Sequence, residues 1–178
     1  MMYDKIMQEI TKGRNLVIDN EKLAEPVDSI QLFDEINRVF MLASIDMREA
    51  IQCLESDAEF AKHIVRRLSD AFGVCLVENE TYEMSDIEDI IREIVIEKKN
   101  NPVFIITSAE AGIGHDLYYD LIAIIQGMFQ ANMMCEENNG FQSVIIIGKH
   151  ITDDLLREHE YGHVYRKPWV SGELYNQL

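Results

Sequence analysis

Three short runs rich in β-branched residues most constrain what this chain can fold into: "VCLVE" from Val74, "VFIIT" from Val103 and "SVIIIG" from Ser143. Such runs suit a pleated, buried surface. Each is followed by a segment of helical period, "SDIEDIIREIVIEKK" from Ser85, "HDLYYDLIAIIQGMFQANMM" from His115 and "TDDLLREHEYGHVYR" from Thr152. Strand–helix alternation of this kind predicts a small sheet with packed helices, an α+β (mixed α/β) fold from about residue 73 onward. Ser85 followed by Glu88 matches a capping box at the start of the first of these helices. The Asn-Gly pair in "CEENNGFQ" marks a surface loop.

The residues before Gly73 read mainly as helix. Ile30, Phe33, Ile36, Val39, Phe40, Ala43, Met47, Ala50 and Leu54 recur at spacings of three and four, the stripe of one long amphipathic helix. Asp28 or Ser29 is placed to cap it, just beyond Pro26. A second helix starts at Asp57 with Phe60, Ile64, Val65 and Leu68 inward, and Gly73 ends it. The expected organisation is a helical portion over 1–72 and an α/β portion over 73–178, or one domain overall. A chain of 178 residues suffices for one well-packed core.

Charge narrows the partners. Thirty-two acids against sixteen bases give a formal charge of −16, which opposes direct attraction to nucleic acid or to anionic lipid. A basic protein partner fits that charge. The densest acids lie in "ENETYEMSDIEDIIRE", residues 78–93, which reads either as a solvated helix face with acids near its N-terminus or as a surface mimicking phosphates. The cysteines, Cys53, Cys75 and Cys135, are odd in number and lack metal or disulfide spacing, pointing to a reducing compartment. Residues 1–10 contain no continuous apolar core of a secretory signal, and "LIAIIQGMF" is far below the roughly 20 residues of a membrane span. A soluble, cytoplasmic protein is expected.

The sharpest chemical motif is His159-Glu160-Tyr161-Gly162-His163, with fifteen residues after it. On a helix, residues four apart share a face, so both imidazoles can direct one nitrogen at a single ion. Advancing about 100° per residue puts Leu155, Leu156, His159, Gly162 and His163 on one arc, with Glu160 at its edge. Two histidines on an apolar stripe are satisfied either by backbone carbonyls or by a metal.

The segment "SVIIIGKHITDDLLREHEYGHVY" resembles the strand and active-site helix of the zincin metallopeptidases, defined by H-E-x-x-H. The resemblance covers about a third of the chain. It implies that His159 and His163 bind zinc and that Glu160 acts as general base on a metal-bound water, hydrolysing a peptide or protein substrate. In the metzincin pattern the third ligand would fall at Trp169, which cannot bind zinc. The gluzincin pattern calls for a later Glu, and Glu173 is the nearest; His150 and His115 are the other candidates. The resemblance also allows a degenerate relative without catalysis.

A rival reading is a non-enzymatic acidic binding protein, an inhibitor, immunity protein, chaperone or nucleic-acid mimic, whose negative helical region meets a basic partner. A third uses "TSAEAGIGHD" from Thr107, whose turn at Gly112 to His115 could present amides to a nucleotide or other small anion; without G-x-G-x-x-G or Walker A spacing it reads as an ordinary strand-to-helix turn. Ser108 lacks the elbow of a serine hydrolase. Glu136 and Glu137 beside Cys135 would raise its thiol pKa. His63, near Lys62, Arg66 and Arg67, reads as a surface residue.

Overall fold

The computed structural model describes residues 2–73, 81–98, 101–134, 141–151 and 169–170. The fold is mixed α/β, as the alternation of runs predicts. In chain order its principal elements are α1 (Met2–Thr11), β1 (Asn15–Asp19), α2 (Ser29–Asn37), β2 (Leu42–Asp46), α3 (Met47–Ala50), α4 (Asp57–Phe72), α5 (Ile87–Lys98), β3 (Val103–Thr107), α6 (Asp116–Met134), β4 (Ser143–Gly148) and β5 (Trp169–Val170). The strands form one sheet in the order β2-β3-β4-β1-β5. Every pairing is parallel.

Parallel sheets are stable when both faces are covered, and their strands then read as unbroken apolar runs. β1, β3 and β4 are buried along their whole length. Leu16, Ile18, Val103, Ile105, Ile145 and Ile147 pack under α1 and α2 with Ile6, Ile10, Leu32 and Ile36. Their alternates Val17, Phe104, Ile106, Val144 and Ile146 pack under α4, α5 and α6. The period of two along each strand therefore divides the core into two layers, one on each side of the sheet.

β3 and β4 are the runs from Val103 and Ser143, and α4 has its expected inner face, with Phe60, Ile64, Val65 and Leu68 all buried. Gly73 closes α4 in the left-handed region at φ 64°, its amide donating to the Ser69 carbonyl. Asp28 caps α2 by accepting the Gln31 amide. The single long helix expected over residues 30–54 is instead α2, β2 and α3. Ile36, Ala43, Met47, Ala50 and Leu54 do face inward, but Ile30 and Val39 are 74% and 64% exposed. The three-and-four spacing thus found most of the buried residues and the wrong backbone. Pairing with β3 and packing of Ala43 and Ile45 in the α4 layer hold "LASID" extended. Asp46 then caps α3 by accepting the Arg48 amide.

β1 is a further strand among residues read as helical, so strands from both sides of Gly73 intermingle in one sheet. At its amino end, the Asn15 side-chain oxygen accepts the Val144 amide at 2.8 Å and the Ser143 hydroxyl donates to the Arg14 carbonyl at 2.6 Å. The capping box before α5 is made by Glu83 and Asp86 rather than Ser85 and Glu88. The run from Val74, the loop 135–140 and the helix expected from Thr152 lie outside the described residues. Among the described residues no helix is long and apolar enough to cross a membrane.

Candidate functional site

Because all the strands are parallel, their carboxyl ends meet at one edge of the sheet. Asp46 pairs with Thr107, and Gly148 with Asp19, so β1 to β4 finish level. From β1 the chain travels to β2 at the far edge of the sheet, whereas from β4 it continues to β5 beyond β1. Neighbouring β4 and β1 therefore send the chain in opposite directions, the switch point at which open α/β sheets form a crevice outside their carboxyl ends.

A cleft of about 360 Å³ lies there. Asn20 enters it from the end of β1, Ser44 and Asp46 from β2, Thr107 and Ser108 from the end of β3, and Gly148 and Lys149 from the end of β4. Ile30 and Phe33 of α2 line it from one side of the sheet and Arg67 of α4 from the other. The cleft thus joins an apolar wall to a polar one, the usual make-up of a small-molecule site.

The floor is held by carboxylates that bind strand ends to one another. One Glu110 oxygen accepts from the Arg48 guanidinium at 3.0 Å and the other from the Lys149 amide at 3.1 Å, tying β2, β3 and β4 together. Asp19 is fully buried and accepts the Glu21 and His150 amides at 3.2 and 3.0 Å, tying β1 to β4. Glu110 can lie across β4 because residue 148 is glycine: a Cβ there would stand 2.7 Å from its Oε2. Among the described residues the two non-glycine residues with positive φ, Ser108 at 50° and His150 at 56°, follow β3 and β4 at this same edge. Left-handed backbone at such residues costs on the order of 1 kcal/mol or more, and it concentrates at functional sites.

Arg67 reaches β2 from α4, its Nε donating to the Ser44 carbonyl at 3.0 Å and Nη2 to the Ser44 hydroxyl at 3.4 Å. One turn earlier on α4, His63 is half-buried rather than on the open surface, and its Nε2 is buried with no hydrogen-bond partner among the described residues. Burial lowers its pKa first, Arg67 adds to that, Glu49 opposes it and Arg66 contributes least. Its imidazole is therefore biased to the neutral form behind the cleft.

His159, Glu160, His163 and Glu173 lie outside the described residues. Of the alternative third ligands, His150 is exposed just after β4, its Nε2 4.0 Å from a Glu21 carboxylate oxygen, and His115 is half-buried immediately before α6. Among the described residues no three His, Cys, Asp or Glu side chains converge on a point. The turn before α6 is structural: the Gly114 amide donates to the Tyr119 hydroxyl, and Gly112 lies under the Tyr118 ring, where a Cβ would fall at 2.5 Å. Of the acidic stretch, Glu83 and Asp86 form the reciprocal cap and Glu88 pairs with Arg92, the arrangement of a solvated helix start. Cys53 is free and half-buried, while Cys75 and Cys135 are outside the described residues.

Sequence reasoning missed the cleft. Its residues stand between positions 20 and 149 in no motif; the one local signal was the end of each apolar run in a small polar residue, glycine or aspartate. No protein-family model matches the chain, and no curated protein matches it.

Proposed function

We propose that this chain is a small-molecule-binding α/β protein whose working site is the cleft at the carboxyl ends of β1 to β4. The observation that carries this reading is the position of the cleft outside the carboxyl ends of the parallel strands, running from β2 to the β4/β1 switch point at Gly148 and Asn20, the edge at which such sheets bind their ligands. The left-handed Ser108 and His150 at the same edge add support. The test is a titration of ¹⁵N-labelled protein with a panel of organic acids, phosphate esters, nucleotides, amino acids and sugars. Binding is expected to move the amide resonances of Ser108, Gly148 and Lys149 together; silence at these amides across the panel overturns the reading.

A second reading rests on His159-Glu160-Tyr161-Gly162-His163. We infer a zinc-dependent peptide-bond hydrolase, or a degenerate relative of one, with His159 and His163 as ligands, Glu160 as base and Glu173 as the third ligand. Two imidazoles at helical spacing with an adjacent carboxylate form a donor set suited to zinc. Metal analysis of protein purified without a histidine tag should give one zinc per chain, lost in His159→Ala and His163→Ala and retained in Glu160→Gln with hydrolysis abolished. Metal-free protein that takes up no zinc on titration refutes it.

A further inference from the structure

We propose that the cleft takes its ligand by an oxyanion, a carboxylate or a phosphate carried on an apolar body, and that Arg67 is the residue that seats it. This rests on the reading of the cleft as the ligand site and adds the ligand's chemical class.

Arg67 differs from the other described arginines. Arg14, Arg38, Arg48 and Arg92 each pair with a glutamate at 3.0 Å or less, as expected in a chain with twice as many acids as bases. Arg66 is exposed and solvated. Arg67 is half-buried, and among the described residues no carboxylate stands within ion-pair distance of it. Its hydrogen-bond partners among the described residues are both on Ser44, a carbonyl and a hydroxyl, neutral groups that fix the plane of the guanidinium without neutralising it. A guanidinium carries five N–H donors in a rigid fork. Two are used on Ser44, and Arg67 lines the cleft. An arginine oriented by neutral acceptors, with donors to spare and charge uncompensated, is organised in advance for a planar, bidentate acceptor.

The surroundings limit what that acceptor is attached to. Lys149, exposed on the opposite lip, supplies a second cation whose ammonium has no partner among the described residues. Asp46, Glu49 and Glu110 also line the cleft. Glu110 spends its charge on Arg48 and the Lys149 amide and Asp46 accepts the Arg48 amide, but three carboxylates in the walls exclude a polyphosphate. With Arg48, Arg67 and Lys149 set against Asp46, Glu49 and Glu110 the lining is balanced, so a single oxyanion placed at Arg67 is what it can accommodate. Ile30 and Phe33 offer the rest of the ligand an apolar surface, and the 74% exposure of Ile30 is explained by a ligand that covers it.

Four probes separate the contributions: benzoate, phenyl phosphate, benzyl alcohol and inorganic phosphate, each titrated into ¹⁵N-labelled full chain. Benzoate or phenyl phosphate should shift the Ser44, Ser108 and Lys149 amides and the Arg67 Nε–Hε resonance. Whichever of the two binds more tightly identifies the oxyanion. Benzyl alcohol lacks the anion and inorganic phosphate lacks the body, so each should bind at least about ten-fold more weakly. Arg67→Gln should weaken the anionic probe by at least about ten-fold and leave benzyl alcohol unchanged, with Arg67→Lys in between. The Arg67 Nε resonance of the unmutated chain gives the same answer if Arg67→Gln does not fold. Benzyl alcohol binding as tightly as benzoate, or an unmoved Arg67 resonance, overturns the proposal. Silence of both anionic probes at millimolar concentration also overturns it, while the cleft itself stands or falls on the wider panel.

Discussion

Replacing Gly148 with alanine tests whether the carboxyl edge is as closely built as its geometry indicates. Gly148 ends β4 and does not occupy the left-handed region, so alanine incurs no backbone strain there and the whole cost is steric. Its Cβ would meet the Glu110 Oε2 at 2.7 Å, the Ile151 Cγ2 at 2.8 Å and the Ala109 nitrogen at 3.2 Å. The first two are closer than real Cβ atoms approach, and neither neighbour yields freely. Ile151 is fully buried. Glu110 can swing away only by releasing the Lys149 amide, a charge-assisted bond worth about 1.5–3 kcal/mol. Alanine returns about 0.4–1 kcal/mol through the unfolded chain. The net loss should be about 1–2 kcal/mol, within the range for overpacking, which lowers Tm by about 2–8 °C in a chain of this length. Urea unfolding followed by far-UV circular dichroism gives the free energy. Glu110→Ala removes one of the two close contacts, so the pair of substitutions should cost at least about 0.5 kcal/mol less than the separate losses added together. A Tm within 1 °C of the unmutated chain, or strict additivity with Glu110→Ala, refutes the clamp described for Glu110.

Ser108→Gly relieves a left-handed serine, and after the larger unfolded-state entropy of glycine is deducted it should leave stability unchanged or raised by up to about 1 kcal/mol. A loss above 1 kcal/mol in urea unfolding would show that the serine hydroxyl, not the backbone, maintains the edge. Glu9 is nearly buried at the end of α1, with Lys12 and Arg14 both at 2.7 Å. The Lys12 hydrogen bond lowers its pKa most; burial opposes, and the Arg14 hydrogen bond and the two charges lower it further. A carboxyl depressed in the folded state contributes stability that is fully present above its ordinary value near 4.5 and lost as pH falls through the folded value. Glu9→Gln should therefore destabilise the protein at neutral pH and flatten stability against pH below about 4.5; an unchanged acid limb in pH-dependent thermal unfolding contradicts it.

How far each element could be read from the sequence follows from where its apolar surface goes. β3 and β4 are central strands covered on both faces, and such strands are written as continuous β-branched runs. β2 is an edge strand whose residues alternate half-buried and buried. "LASID" holds one strongly β-forming residue, and its inward Ala43 fell into step with a helical stripe that includes Met47, Ala50 and Leu54. β1 is as buried as β3, but "NLVID" offers only three apolar residues between Asn15 and Asp19, and the helical reading of its neighbours absorbed it. Beyond the polar residue or glycine that ends each apolar run, the cleft could not be read, because Arg67, Ser108 and Lys149 are ordinary residues individually. What makes them a site is the strand order, and strand order is a long-range property that no local window contains.

The same topology bears on the third ligand of the proposed zinc site. The connection holding residues 159–163 leaves β4 at the cleft's own lip, through Lys149 and His150, and arrives at Trp169 opposite Asn15, at the amino end of β1. The His150 amide is fixed by the buried Asp19, so a metal bound by His150 would be coupled to the cleft through a rigid strand end. Glu173 follows β5 in the chain rather than β4. Removing zinc with a chelator is therefore expected to move the Gly148 and Lys149 resonances if His150 completes the site, and to leave them in place if Glu173 does. Since we infer Glu173, the expected result is an unchanged cleft whose response to benzoate survives zinc removal. A shift of the Gly148 amide on chelation, abolished in His150→Gln, would transfer the ligand role to His150 and join the two sites into one.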